Sequence, residues 1–121
     1  MKVFIGSIVV NTNDMERAIA FWTEALGYVV RSGDKTFTVL HDPNRRWAYL
    51  SLQLTNEIKF SRNRLHLDLF TDDQAGEIAR LEGLGAERIP WNYPEEDDFV
   101  VMADPDGNEF CVIQNQVSQD A

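Results

Sequence analysis

A chain of 121 residues, 44% hydrophobic and 26% charged with seven Gly and four Pro, has the size and usage of one folded domain, which excludes disordered, collagen-like and low-complexity classes. Its single cysteine, Cys111, excludes an internal disulfide framework and a Cys-rich zinc cluster. Twenty acidic against eleven basic residues leave a net charge of −9, which repels phosphate backbones and argues against nucleic acid as a partner.

In chain order, Val3–Val10 is β-branched and apolar and reads as a buried strand. Asn11-Thr12-Asn13-Asp14 is a turn with helix-capping residues. The helix that follows carries Met15, Ala18, Ile19, Trp22, Ala25 and Leu26 at helical spacing and stops at Gly27. Tyr28–Arg31 and Lys35–Leu40 read as strands around Ser32-Gly33-Asp34, and His41–Arg46 as a turn centred on Asp42-Pro43-Asn44. Trp47–Leu54 alternates, with Leu50, Leu52 and Leu54 on one face and Trp47, Tyr49, Ser51 and Gln53 on the other. Arg64–Phe70 alternates too, with Leu65, Leu67 and Leu69 opposite His66 and Asp68. Asp72-Asp73 caps a second helix through Ala75, Ile78, Ala79 and Leu81, closed by Gly83 and Gly85. Arg88–Trp91 reads as a short strand. Glu95–Asp98 reads as a solvated acidic loop tip, and Phe99–Ala103 and Glu109–Gln114 as strands around Asp104-Pro105-Asp106-Gly107.

The second half repeats the first. Asp14 maps to Asp73, Ile19 to Ile78 and Ala20 to Ala79, each 59 residues apart. Each half reads as strand, helix and about three strands, so the fold class is α+β: paired βαβββ modules, about 1–60 and 61–115, with a frayed tail over 116–121. The expected arrangement is a cupped, mixed sheet shared by the modules, its leucine faces under the helices. The same offset maps Ser7 to His66, and an offset of 58 maps Gln53 to Cys111. All four fall on the face away from the leucines, where two related pairs would converge on one point.

The residues Asn13-Asp14-Met15-Glu16-Arg17-Ala18 leading to Phe21-Trp22 and Leu26-Gly27, then His66 with Asp72-Asp73, then Asp104-Pro105-Asp106-Gly107-Asn108, resemble the vicinal-oxygen-chelate superfamily, the glyoxalase and bleomycin-resistance fold. The nearest likeness is to small, single-domain, glyoxalase-like bacterial proteins. The resemblance implies a homodimer with a cavity in each cupped sheet. It also implies four metal-ligand positions, which fall here on Ser7, Gln53, His66 and Cys111. His66 alone is a standard ligand, and the set holds no carboxylate. No cofactor is therefore expected; zinc on His66, Cys111 and Gln53 stays chemically conceivable.

The residues themselves leave two classes open. Trp47, Tyr49 and Trp91 with Ser7, Ser51, Gln53, His66 and Cys111 suit a pocket for an aromatic or apolar small molecule, the reading for a metal-free binding protein akin to drug-resistance proteins. The alternative is an enzyme of the lyase, isomerase or dioxygenase type using His66 as metal ligand or base. Asp68 would orient His66, and Glu109 would serve as a missing ligand or general base. Cys111 as a nucleophile needs a neighbouring base or cation; the competing role is a buried filler. Arg45, Arg46, Arg62 and Arg64 are expected to pair with surface acids. No stretch approaches the ~18 apolar residues of a membrane span. The apolar start lacks a cleavage site, so the expected location is the cytoplasm.

Overall fold

The computed structural model describes residues 5–57, 65–93 and 98–115. The chain divides into two compact units, Met1–Ile58 and Lys59–Ala121.

The first unit runs β1 (Ser7–Thr12), α1 (Met15–Leu26), β2 (Val29–Gly33), β3 (Phe37–His41) and β4 (Tyr49–Leu54). Its sheet has the order β1-β4-β3-β2, with β1 parallel to β4 and the other pairs antiparallel. Parallel neighbours need a crossover, which α1 supplies. Asp14 starts that helix by accepting the Arg17 backbone N–H at 3.1 Å. Gly27 ends it at a φ of 70°, a left-handed turn that glycine adopts at least cost. Met15, Ala18, Phe21 and Trp22 are buried, as are Leu40, Leu50 and Leu52 on the sheet. Phe21 and Trp22 meet edge to face at 5.0 Å.

The second unit repeats the plan with β5 (Leu67–Thr71), α2 (Gln74–Gly83), β6 (Glu87–Arg88), β7 (Phe99–Ala103) and β8 (Glu109–Gln114). The sheet order is β5-β8-β7-β6, again with the helix-flanked pair parallel. Asp73 caps α2 through the Gly76 N–H, and Ile78 and Leu81 are buried with Met102, Phe110 and Val112. The α+β class and the doubled βαβββ order stand as expected. Each unit, however, builds its own four-stranded sheet instead of contributing to a shared one.

The connections after β3 and β7 share one device. Asp42 is buried and accepts the backbone N–H groups of Asn44 and Arg46 and the Arg46 side chain at 2.9–3.1 Å. Asp104 is buried and accepts Asp106 N–H, Asn108 N–H and the Asn108 amide at 2.8–3.0 Å. A left-handed residue follows in each loop, Arg45 at φ 56° and Gly107 at φ 85°. Arg46 thus makes the acid pairing expected of it; Arg62 and Arg64 lie outside the described residues.

Several boundaries differ from expectation. β1 begins at Ser7, with Ile5 and Gly6 outside it and Val3 and Phe4 outside the described residues, and its Val9 is half exposed, because β1 is an edge strand covered on one face. The first hairpin turns at Asp34–Phe37, two residues later than read, because Asp34 collects the N–H groups of Thr36 and Phe37 at 2.8 and 3.0 Å. β4 begins at Tyr49, so Trp47 lies in the preceding loop. β5 begins at Leu67; Leu65 is 87% exposed and Leu54 39%, so neither is under a helix. The strand read over Arg88–Trp91 is reduced to Glu87–Arg88. Residues 95–97 and the 116–121 tail lie outside the described residues.

Candidate functional site

Strand alternation turns His66, Asp68, Val101, Cys111 and Ile113 away from α2, since Leu67, Phe110 and Val112 occupy the helix side. On this open face lies a cavity of about 310 Å³ lined by His66, Asp68, Trp91, Phe99, Val101, Glu109, Phe110, Cys111 and Ile113. That volume sits at the low end of small-molecule sites.

One wall is aromatic, and the segment after β6 forms part of it. Ile89 N–H reaches the Val101 carbonyl at 2.9 Å. The Tyr93 hydroxyl then accepts Val101 N–H at 2.9 Å, completing the edge of β7 where β6 has ended. The Tyr93 and Phe99 rings meet at 5.3 Å, and Trp91 is carried to the cavity between them and β6 in sequence.

The polar end is compact. His66 Nε2 lies 3.1 Å from Asp68 Oδ1, both side chains being about half exposed. Cys111 pairs with Asp68 across the parallel β5–β8 ladder, which places both side chains on one face. Ligand atoms of His66, Asp68 and Cys111 all lie within 4.8 Å of one another. Cys111 carries no disulfide. Glu109, two residues before Cys111, lines the same cavity.

The open face of the first sheet is separate in composition. Ser7 and Ser51 share a hydroxyl–hydroxyl hydrogen bond of 2.6 Å. Tyr49 stacks under the Arg31 guanidinium at 5.1 Å and meets His41 edge-on at 6.1 Å. Gln53 follows on the same face and is exposed. Trp47 lies outside β4 and stands under the Arg46 guanidinium at 5.7 Å. The alternation that placed Trp47 with Tyr49 does not extend beyond the strand's first residue.

Of the residues singled out from sequence, His66, Trp91, Glu109 and Cys111 line the second unit's cavity, and Asp68 is the histidine's partner. Phe99, Val101 and Ile113 went unnoticed there, although they alternate in step with Cys111 along β7 and β8. Tyr93 is the residue that seats the segment.

The chain belongs to the glyoxalase-like domain family, whose model matches residues 7–113. The stretch runs from the first residue of β1 almost to the end of β8. No curated protein sequence matches the chain. Solved structures share its fold. A glyoxalase-related enzyme from Fulvimarina pelagi is 18% identical with a TM-score of 0.73, over 98% of this chain and 94% of that one. A glyoxalase/bleomycin resistance protein/dioxygenase family enzyme from Burkholderia phytofirmans is 18% identical with a TM-score of 0.68, over 91% and 97%. A mutant of the fosfomycin resistance protein FosX from Listeria monocytogenes, complexed with Mn(II) and a dihydroxypropylphosphonic acid, is 11% identical with a TM-score of 0.75, over 97% and 93%. The vicinal-oxygen-chelate resemblance stands on these matches.

Because that fold family includes metal-bound members, the donor chemistry matters. Manganese takes hard oxygen ligands, and a thiol within the group of His66, Asp68 and Cys111 does not suit it. The same three donors have the character of a zinc-class site, and they are the residues that would hold such an ion. Asp68 completes this group with His66 and Cys111. Among the described residues no helix is long and apolar enough to cross a membrane.

Proposed function

We propose that the protein binds an aromatic or otherwise apolar small molecule in the second unit's cavity without a metal, sequestering it in the manner of a resistance protein. The observation that carries this reading is the cavity wall: Trp91, Phe99, Val101 and Ile113 offer broad apolar surface, and the polar groups are gathered at one end. Such a site gains affinity from burial and orientation from one or two polar contacts. A homodimer is part of the same reading, supported by the exposed Val9, Val29 and Phe37 on the first sheet. A reducing, cytoplasmic location belongs to the same reading, since a chain with a single cysteine forms no internal disulfide.

The His66–Asp68 contact with Cys111 alongside favours a second reading, an enzyme of the glyoxalase type. There Asp68 orients the imidazole and His66 accepts a proton from the bound compound, with Glu109 as the alternative base on the same wall.

Chelator-treated protein titrated with neutral planar aromatics tests the choice. Saturable quenching of tryptophan emission with the compound recovered unchanged is the expected result. Binding that appears only after one equivalent of zinc is restored would displace the metal-free reading in favour of the second.

A further inference from the structure

We infer that Tyr93 is a positioning residue of the ligand pocket: its hydroxyl, which does not itself line the cavity, fixes Trp91 on the cavity wall and so sets the affinity for a flat ligand. This deepens the small-molecule reading and rests on it.

The two units differ at this edge. In the first, β2 pairs with β3 from Val29–His41 to Gly33–Thr38. Its counterpart β6 pairs with β7 at Glu87–Ala103 and Arg88–Met102, and there the strand ends. Residues directly opposite in an antiparallel pair exchange two backbone hydrogen bonds. Ile89, next in this register and opposite Val101, makes one of them: its N–H reaches the Val101 carbonyl at 2.9 Å. The Val101 N–H goes instead to the Tyr93 hydroxyl, also at 2.9 Å. Pro90 stands between, and its fixed φ and missing N–H end a ladder.

The chain therefore leaves the sheet at Ile89, carries Trp91 to the cavity, and is tied back to the same residue of β7 by a side chain. The Tyr93 ring adds a second hold, on Phe99 at 5.3 Å. Val101 and Phe99 both line the cavity, so Tyr93 grips the strand that forms the wall while Trp91 is held in the span before it. Removing the hydroxyl and keeping the ring strands the N–H of Val101, a buried residue. A buried donor without a partner is costly, so the span shifts to offer another acceptor and Trp91 shifts with it. A ligand must then order the indole as it binds, which weakens it without the loss of any direct contact. The expected rise in Kd is a factor of roughly two to ten, the range of one neutral hydrogen bond.

The test compares Tyr93→Phe with Tyr28→Phe in the full chain, using 2-naphthalenemethanol as the probe. Tyr28 is the matched control: its hydroxyl donates to the Ala48 carbonyl at 2.9 Å in the first unit, and it does not line the cavity. Both variants are made in a Trp47→Phe background, where the remaining indoles are the buried Trp22 and Trp91. Tyr93→Phe should raise the Kd roughly two- to tenfold and move the emission of the unliganded protein to the red, and Tyr28→Phe should do neither. An unchanged Kd or an unmoved emission in folded Tyr93→Phe would overturn the inference and leave the pocket reading standing. Equal weakening in both variants would make the effect one of general stability and overturn it too. If Tyr93→Phe fails to fold, hydrogen exchange in the parent protein decides. Saturation with the probe should slow exchange of the Ile89 amide, because a ligand that needs the span in place must also hold it there. Unaltered exchange would overturn the inference. Failure of the parent protein to bind the probe would remove the pocket reading and this inference together.

Discussion

Trp91→Ala is the substitution that most directly measures the cavity. The indole is 36% exposed in the protein, and an aromatic side chain presents surface of up to about 250 Å². That leaves about 90 Å² for a ligand to cover, worth about 2 kcal/mol at about 25 cal/mol per Å². Incomplete overlap with a flat ligand lowers the figure toward about 1 kcal/mol, and favourable ring geometry restores part of it. The expected loss is therefore roughly five- to thirty-fold in Kd for a neutral planar aromatic. Trp47→Ala is the matched control, since Trp47 stands under Arg46 and does not line the cavity. Fluorescence separates the two as well. Trp22 is buried under the sheet, so quenching on binding should survive Trp47→Phe and largely vanish in Trp91→Phe. Equal affinity for parent and Trp91→Ala, with both folded by circular dichroism, refutes the assignment of Trp91 to the site. A loss confined to Trp47→Ala would move the site to the first unit.

Three further outcomes follow from the turns and the exposed face. Gly107→Ala places a Cβ at φ 85° and should cost about 1–2 kcal/mol, seen as a fall of roughly 5–10 °C in thermal midpoint. Hydrogen bonding from Arg46, then from the Asn44 and Arg46 backbone, holds the Asp42 carboxyl below its ordinary 3.8 against opposing burial. Its stabilising contribution is accordingly complete above that value and lost as pH falls through the lower folded value, so an acid melt should steepen below about pH 4, less so in Asp42→Asn. Light scattering at micromolar concentration should give the mass of two chains, and Phe37→Glu, on a residue 39% exposed, should shift it toward one; a single-chain mass for the parent would refute the dimer.

Much of this fold is legible in the residues because the local signals agree with one another. Asp14 and Gly27 bracket α1 as capping chemistry requires, and Leu67, Leu69, Phe110 and Val112 alternate as a half-covered sheet requires. The failures fall at strand ends. Trp47 continues the apolar–polar rhythm of β4 without belonging to it, because periodicity carries no information about where backbone pairing starts; Tyr49 N–H finds the Gly6 carbonyl at 3.0 Å. Leu65 extends the rhythm of β5 in the same way and is almost wholly exposed. The cavity wall was hidden for another reason. Tyr93 takes its place through a side-chain hydroxyl capping a backbone N–H, a pairing with no period in sequence.

The repeat itself shows where the two units differ. Both units have the same strand order, and equivalent positions face the same way from their sheets. In the first unit those positions are spent on structure: Ser7 bonds Ser51, and Tyr49 is covered by Arg31. In the second, the ladder positions of Ser7 and Ser51 hold His66 and Cys111, which gather with Asp68 beside an apolar cavity; the position of Gln53 holds Ile113, so the expected pairing of Gln53 with Cys111 is off by two residues. The buried aspartate turn, by contrast, is kept in both units, through Asn44 and Arg46 in one and Asp106 and Asn108 in the other. A turn that satisfies several buried N–H groups with one carboxylate has few substitutes, since each lost partner strands a polar group away from water. An open sheet face has no such constraint: its side chains meet solvent or ligand, and almost any residue leaves the strand pairing intact. The two units therefore agree where backbone hydrogen bonding dictates the residue and part on the open sheet faces, most of all around His66, Asp68, Glu109 and Cys111.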